Sequence, residues 1–85
     1  MFIHLGGDTL INSKRIVAIL NADSVLGANS SKEFLKTAQE EGFIANHDQK
    51  EYKSIVITDK NIYLSPISTL TLKKRANFVD SLSEI

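Results

Sequence analysis

Two short segments restrict what this chain can fold into more than any other feature. Residues 16–20 read Ile-Val-Ala-Ile-Leu, and Ser54–Thr58 encloses Ile55-Val56-Ile57. β-Branched residues are stiff at χ1 and favour extended backbone, so both segments are expected to be strands. Neither alternates apolar with polar. In the first, Ile16, Ala18 and Leu20 point one way and Val17 and Ile19 the other, so both faces are apolar. Such strands need cover on both sides, and an 85-residue chain has few elements to supply it.

The rest of the chain reads as one domain, residues 1–85, with hairpins and two helices around these strands. Residues 1–5 are apolar and extended, Gly6-Gly7-Asp8 makes a turn, and Thr9–Asn12 returns as a short strand. Residues 21–29 read as a loop. Ser30-x-x-Glu33 has the capping-box pattern, and Phe34, Leu35 and Ala38 form a short stripe for burial. Gly42 suits the position beyond a helix end, and Phe43-Ile44-Ala45 can form a short strand. Asp59-Lys60-Asn61 turns the second apolar strand back into Ile62-Tyr63-Leu64, and Ser65-Pro66 ends it. A last helix starts near Ser68 or Thr69, with Leu72, Ala76, Val79 and Leu82 or Ser83 on one face. The expected class is α+β, a small, mostly antiparallel sheet of hairpins with two helices.

Ile, Leu, Val and Phe make up 27 of the 85 residues, and Cys is absent. The core is therefore built without disulfides, and thiolate zinc and iron–sulfur sites are excluded. With no staple of that kind, subunits of a homo-oligomer are expected to cover each other's apolar sheet surface, through Ile16, Val17, Ile19, Ile55, Val56 and Ile57. The longest apolar run is five residues, far short of a membrane span. Residues 1–5 lack the basic and long apolar regions of a signal peptide, so a cytoplasmic location is expected.

Catalytic chemistry finds little to stand on. His4 lies in the first strand between Ile3 and Leu5 and reads as a packed or surface residue. His47 and Asp48 are adjacent in a polar loop without a third metal ligand nearby. Gly6-Gly7 lacks the strand, spacing and helix of a phosphate-binding loop. No nucleophile, base and oxyanion site assembles, so the chain is not expected to be an enzyme or to need a metal or cofactor.

Charge is more informative. The net charge is zero, which argues against nucleic acid as a partner, yet it is a sum over unlike segments. Residues 1–48 carry four basic and six acidic side chains, residues 49–76 six basic and two acidic, and residues 77–85 two acidic and none basic. The positive block holds Lys50, Lys53, Lys60 and Lys73-Lys74-Arg75, and Lys14-Arg15 adds a pair before the first apolar strand. Such clusters suit phosphate contacts, which release counterions. They equally suit a solvated surface.

The order and spacing of several strings are more specific than any of them alone. They are Met1-Phe2-Ile3-His4-Leu5-Gly6, Arg15-Ile16-Val17-Ala18-Ile19, Lys53-Ser54-Ile55-Val56-Ile57-Thr58, and Asn61-Ile62-Tyr63-Leu64-Ser65-Pro66 followed by Thr71-Leu72-Lys73-Lys74-Arg75-Ala76. On them the chain resembles the RemA/RemB family of bacterial regulators of extracellular-matrix (biofilm) genes, and within it the RemB branch. The resemblance implies a transcription regulator that forms rings, binds double-stranded DNA around their rim and folds in a manner similar to LytTR DNA-binding domains. It points to Arg15 and to the loop before Ser54–Thr58 as the DNA contacts. That loop carries consecutive arginines in the RemA branch and reads Gln49-Lys50-Glu51-Tyr52-Lys53 here. Lysine lacks the bidentate fork of arginine, and the Glu51 carboxylate repels phosphate. The expected contacts are Arg15, Lys50 and Lys53, with Lys14, Lys73 and Lys74 secondary and Arg75 a candidate for a salt bridge. A paralogous regulator is a further candidate partner. The alternative is a ring-forming scaffold that does not itself bind DNA.

Overall fold

Gly6 and Gly7 both adopt positive φ, which lets the first apolar segment turn sharply back on itself. β1 (Phe2–Gly6) and β2 (Thr9–Asn12) form the resulting antiparallel hairpin, with Ile3 opposite Ile11 and His4 opposite Leu10. Ile3, Leu5 and Ile11 face inward; Phe2, His4 and Leu10 face solvent. The structure, a computed structural model, describes residues 1–46 and 48–76. The expected helix-face positions Val79, Leu82 and Ser83, and His47, lie outside the described residues.

A single 3-10 turn, Ser13–Arg15, leads into β3 (Ile16–Asn21). β3 pairs antiparallel with β4 (Ser54–Thr58), which pairs antiparallel with β5 (Ile62–Ser65), giving a three-stranded sheet in the order β3-β4-β5. Four apolar residues of the two segments are buried by the chain itself, two on each strand. Ile16, Ile19 and Val56 share one core with Ile3, Leu5, Ile11 and Leu72. Ile55 shares a second core with Ala22, Leu35, Ala38, Ile44, Ile62 and Leu64, against which Leu20 and Ile57 pack. The first hairpin and α3 (Thr69–Arg75) thus cover one face of the sheet, and α1 (Ala22–Leu26) and α2 (Asn29–Glu40) the other.

The strict alternation expected for residues 16–20 does not hold. The β3–β4 register shifts between Ile16 and Ala18: Ile16 pairs with Thr58 and Ala18 with Ile57, which leaves Val17 as the extra residue. An extra residue reverses the parity of the side chains that follow. Ile16 and Ile19 therefore share a face, and Val17 is pushed outward to 67% exposure. Of the six residues assigned to a subunit interface, Ile16, Ile19, Ile55 and Val56 are buried within this chain, Ile57 is half-buried, and only Val17 is exposed.

The helices differ from expectation in three respects. There are three α-helices among the described residues, where the sequence suggested two. The third is α1, within the stretch read as a loop; the Asn21 side chain caps it by accepting from Ser24 N–H (3.1 Å). The Ser30–Glu33 capping box is not used. α2 begins at Asn29 with Ala28 as its cap residue and no side-chain cap, which places Ser30 inside the first turn. Phe34 is 52% exposed, so the buried stripe of α2 is Leu35 and Ala38 alone. The helix ends as expected, with Gly42 at φ +80°. Gly42 N–H donates to Gln39 O (3.2 Å) and Phe43 N–H to Ala38 O (2.9 Å), the paired bonds of a Schellman end.

Phe43–Ala45 does not form a full strand. It makes one parallel bridge, Ile44 with Ile62, along the edge of β5. Asn46 continues that edge with its side chain: Nδ2 donates to Leu64 O (2.7 Å) and Oδ1 accepts from Leu64 N–H (2.8 Å). Ser65 joins the two sheets, and Ser65 and Ser54 together hold the segment after β5. Ser65 Oγ donates to Leu5 O (2.6 Å) and accepts from Ile67 N–H (3.1 Å), while Ser54 Oγ donates to Ile67 O (2.6 Å).

Candidate nucleic-acid interface

The β3–β4 register decides where the basic residues lie. Antiparallel pairing of Ile16 with Thr58 and Asn21 with Ser54 puts Arg15 beside the C-terminal end of β4 and Lys53 at its N-terminal end. The two ends of β4 are four residues apart, about 13 Å along the strand. The candidate contacts therefore form two groups. Lys14 and Arg15 meet Lys60 of the β4–β5 turn at one corner, and Lys50 and Lys53 lie towards the other.

The first corner is held by backbone and by Thr58. Thr58 Oγ1 accepts from Asn61 N–H (2.9 Å) and donates to Asn61 O (2.8 Å), which shapes the Asp59-Lys60 turn. Asp59 N–H donates to Arg15 O (3.2 Å), so the turn is tied to the 3-10 segment. Arg15 Nε in turn donates to Asp59 Oδ1 (3.1 Å), the one ion pair among the described residues. Asn12 Oδ1 caps the 3-10 segment by accepting from Lys14 N–H (3.0 Å). Lys14, Arg15 and Lys60 are all exposed.

At the other end, Lys53 is fixed at both sides of its backbone. Its N–H donates to Ser65 O (2.8 Å) and its carbonyl accepts from Ala22 N–H (2.9 Å). Lys50 lies on the preceding loop, where Gln49 N–H donates to Asn46 O (2.9 Å) and Gln49 Nε2 to Glu51 O (2.7 Å). Lys50, Glu51 and Lys53 are exposed, whereas Tyr52 packs against the second core. The acidic side chain thus stands on the surface between the two lysines.

The run Lys73-Lys74-Arg75 has a structural explanation. It forms the last turn of α3, where positive charge complements the helix dipole. Arg75 makes no salt bridge among the described residues; its Nη1 donates to His4 O (2.9 Å) and ties α3 to β1. Lys73 is half-buried and Lys74 exposed. Sequence reasoning missed Asp59 as the partner of Arg15, 44 residues away, and gave Lys60 no contact role. No group of three or more His, Cys, Asp or Glu side chains among the described residues is placed to hold a metal ion. No helix among them is long and apolar enough to cross a membrane.

Comparisons with known proteins agree with the resemblance. Extracellular matrix regulatory protein B of Bacillus subtilis is 42% identical to this chain over 82 residues, covering 93% of this chain and 94% of its own length. Relatives from Bacillus cytotoxicus and Bacillus cereus, whose names go no further than a regulatory role, are 29% identical over 85 residues, covering 98% of this chain and 93% of theirs. The model of the family described as extracellular matrix regulatory protein A-like matches residues 2–76, which takes in both sheets and the three α-helices of the described residues, and the chain belongs to that RemA-like family.

Proposed function

We propose that this chain is a transcriptional regulator of extracellular-matrix genes that binds double-stranded DNA as a homo-oligomer, mainly through phosphates. The observation that carries this is the placement of exposed basic side chains at both ends of β4, on backbone fixed by the sheet. Two such groups, set beyond opposite ends of one strand, suit separate phosphates of the same duplex. Few side chains suited to reading base edges join them, so backbone contacts and DNA shape carry recognition.

Oligomerisation supplies what one subunit lacks. A chain of zero net charge holds DNA weakly, and a ring that repeats the same patch multiplies weak contacts by avidity. Because the sheet faces are already covered, self-association draws on other apolar surface. Phe2 and Leu10 on the outer hairpin face are available, as are Phe34 and Phe43 in an open groove of about 280 Å³ that reaches Asp59 and Lys60 and so borders the Arg15 corner. Two unlike surfaces of this kind suit the head-to-tail contact that closes a ring.

The test is fluorescence anisotropy with a labelled duplex at about 50 and 200 mM salt, combined with native mass. Expected are a mass well above 9.4 kDa, binding that falls steeply with salt, and its loss in the Arg15→Ala, Lys50→Ala, Lys53→Ala triple variant. An unchanged affinity in that variant rejects the site. The second reading, a ring-forming scaffold or partner of a paralogue, is favoured by exposed Glu51 between the lysines; assembly without binding at low salt supports it.

A further inference from the structure

We infer that Asp59 is a positioning residue for Arg15, holding its guanidinium so that the outer edge is ready for a phosphate. This rests on the reading of Arg15 as a DNA contact. The two residues are joined twice, by Asp59 N–H to Arg15 O and by Arg15 Nε–H to Asp59 Oδ1. Their side chains are 44% and 56% exposed. An ion pair so exposed does little for stability, because water and salt screen it and ordering the side chains costs entropy. Its effect is on orientation.

Arginine carries five N–H donors in one plane. Asp59 takes the donor on Nε, at the side of the group. Among the described residues nothing accepts from the terminal nitrogens Nη1 and Nη2. These form the end-on fork that matches two phosphate oxygens. A free arginine side chain must lose much of its rotamer freedom to make that contact, and one already held through Nε has lost part of it beforehand. The carboxylate also repels the phosphate, and the exposed lysines next in sequence to the pair, Lys14 and Lys60, bring two positive charges against its one. The 3-10 segment and the β4–β5 turn thus build one phosphate site from two distant parts of the chain.

Two substitutions separate positioning from simple repulsion. Asp59→Ala removes both the acceptor and the negative charge. Asp59→Asn keeps an acceptor oxygen in the same place and removes the charge only. Anisotropy is read with a fluorescein-labelled mixed-sequence duplex at about 50 mM salt. The expected result is binding about two- to fivefold weaker for Asp59→Ala, although a repulsive charge has gone, and undiminished for Asp59→Asn. In an Arg15→Ala background, Asp59→Ala should have no further effect. ¹⁵N relaxation of Arg15 Nε gives a readout without DNA: ordered in the unmodified chain and Asp59→Asn, mobile in Asp59→Ala. Stronger binding in both variants, or an Arg15 equally mobile in all three, overturns the positioning role. If Arg15→Ala weakens binding and Asp59→Ala does not, the positioning role fails while the DNA reading stands. If Arg15→Ala leaves binding unchanged, both fall.

Discussion

Replacing Gly6 by alanine tests how the two sheets are joined. Gly6 has φ +104°, and a Cβ built there meets Pro66 Cγ at 2.8 Å and Cδ at 2.9 Å. The proline is exposed, but its backbone is held on both sides. Ser65 before it is bonded to Leu5 and Ile67, and Ile67 after it accepts from Ser54. The positive φ alone costs an alanine about 1–2 kcal/mol. Relieving overlap with a held ring adds about 1–3 kcal/mol, as other overpacked substitutions do. The sum, about 2–5 kcal/mol, is a large part of the roughly 4–13 kcal/mol that a domain of this size has in total. Gly7 is the internal control: its φ is +56°, but nothing lies within 4 Å of its Cβ position. Gly7→Ala should therefore show the backbone cost without the overlap. Urea unfolding at one fixed protein concentration is the assay, since the proposed self-association would make the midpoint concentration-dependent. Gly6→Ala is expected to be at least about 1 kcal/mol less stable than Gly7→Ala. Equal losses in the two variants would show that Pro66 is free to move and that the seam is not rigid.

Ser68→Ala should destabilise the chain by about 1 kcal/mol in the same assay, because Ser68 Oγ accepts from Thr71 N–H at 3.3 Å and caps α3. Ser30→Ala, in the helix that has no side-chain cap, should stay within about 0.5 kcal/mol. Asn46→Ala removes both bonds to the Leu64 backbone and should cost about 1–3 kcal/mol. Faster amide hydrogen exchange at Leu64 is its local signature; an unchanged exchange rate would show that water replaces the side chain at no cost.

What could be read from residue types followed from how local the cause is. Ser54–Thr58 is a strand at the expected residues because its β-branched run is bounded by its own turn. Ser68 caps α3 because Ser, three residues and a helix-forming segment are all the motif needs. Ser30 and Glu33 carry the same local signal, yet the cap position falls two residues earlier, at Ala28. α1 is too short to show a periodic stripe, so only Asn21 with Ser24 marked it. The bulge at Val17 was invisible because nothing in Ile-Val-Ala-Ile-Leu distinguishes the extra residue; the partner strand decides it. The candidate site divides in the same way. Its basic residues were recognisable as types. Their separation into two corners depends on the β3–β4 register, and the pairing of Arg15 with Asp59 depends on a turn 44 residues away.

The two-faced strands that constrain the fold do not in themselves require a second subunit. β4 sends Val56 to one core and Ile55 to the other, and both are essentially inaccessible within a single chain. A subunit that covers both faces of its sheet is free to present other side chains to its neighbours. The outer hairpin face, with Phe2 and Leu10, lies on the first-hairpin side of the sheet, whereas Phe34 and Phe43 lie on the α2 side. Apolar surface on opposite sides of one subunit favours head-to-tail contact over a face-to-face pair, because each patch then meets an unlike one. In such an assembly β4 runs through the interior of each subunit and its ends stay at the surface, where the basic residues are. The Phe34–Phe43 groove also runs along Asp59 and Lys60, so in the proposed head-to-tail contact the Arg15 corner would stand at the boundary between subunits, and the charge there would be shared across each contact.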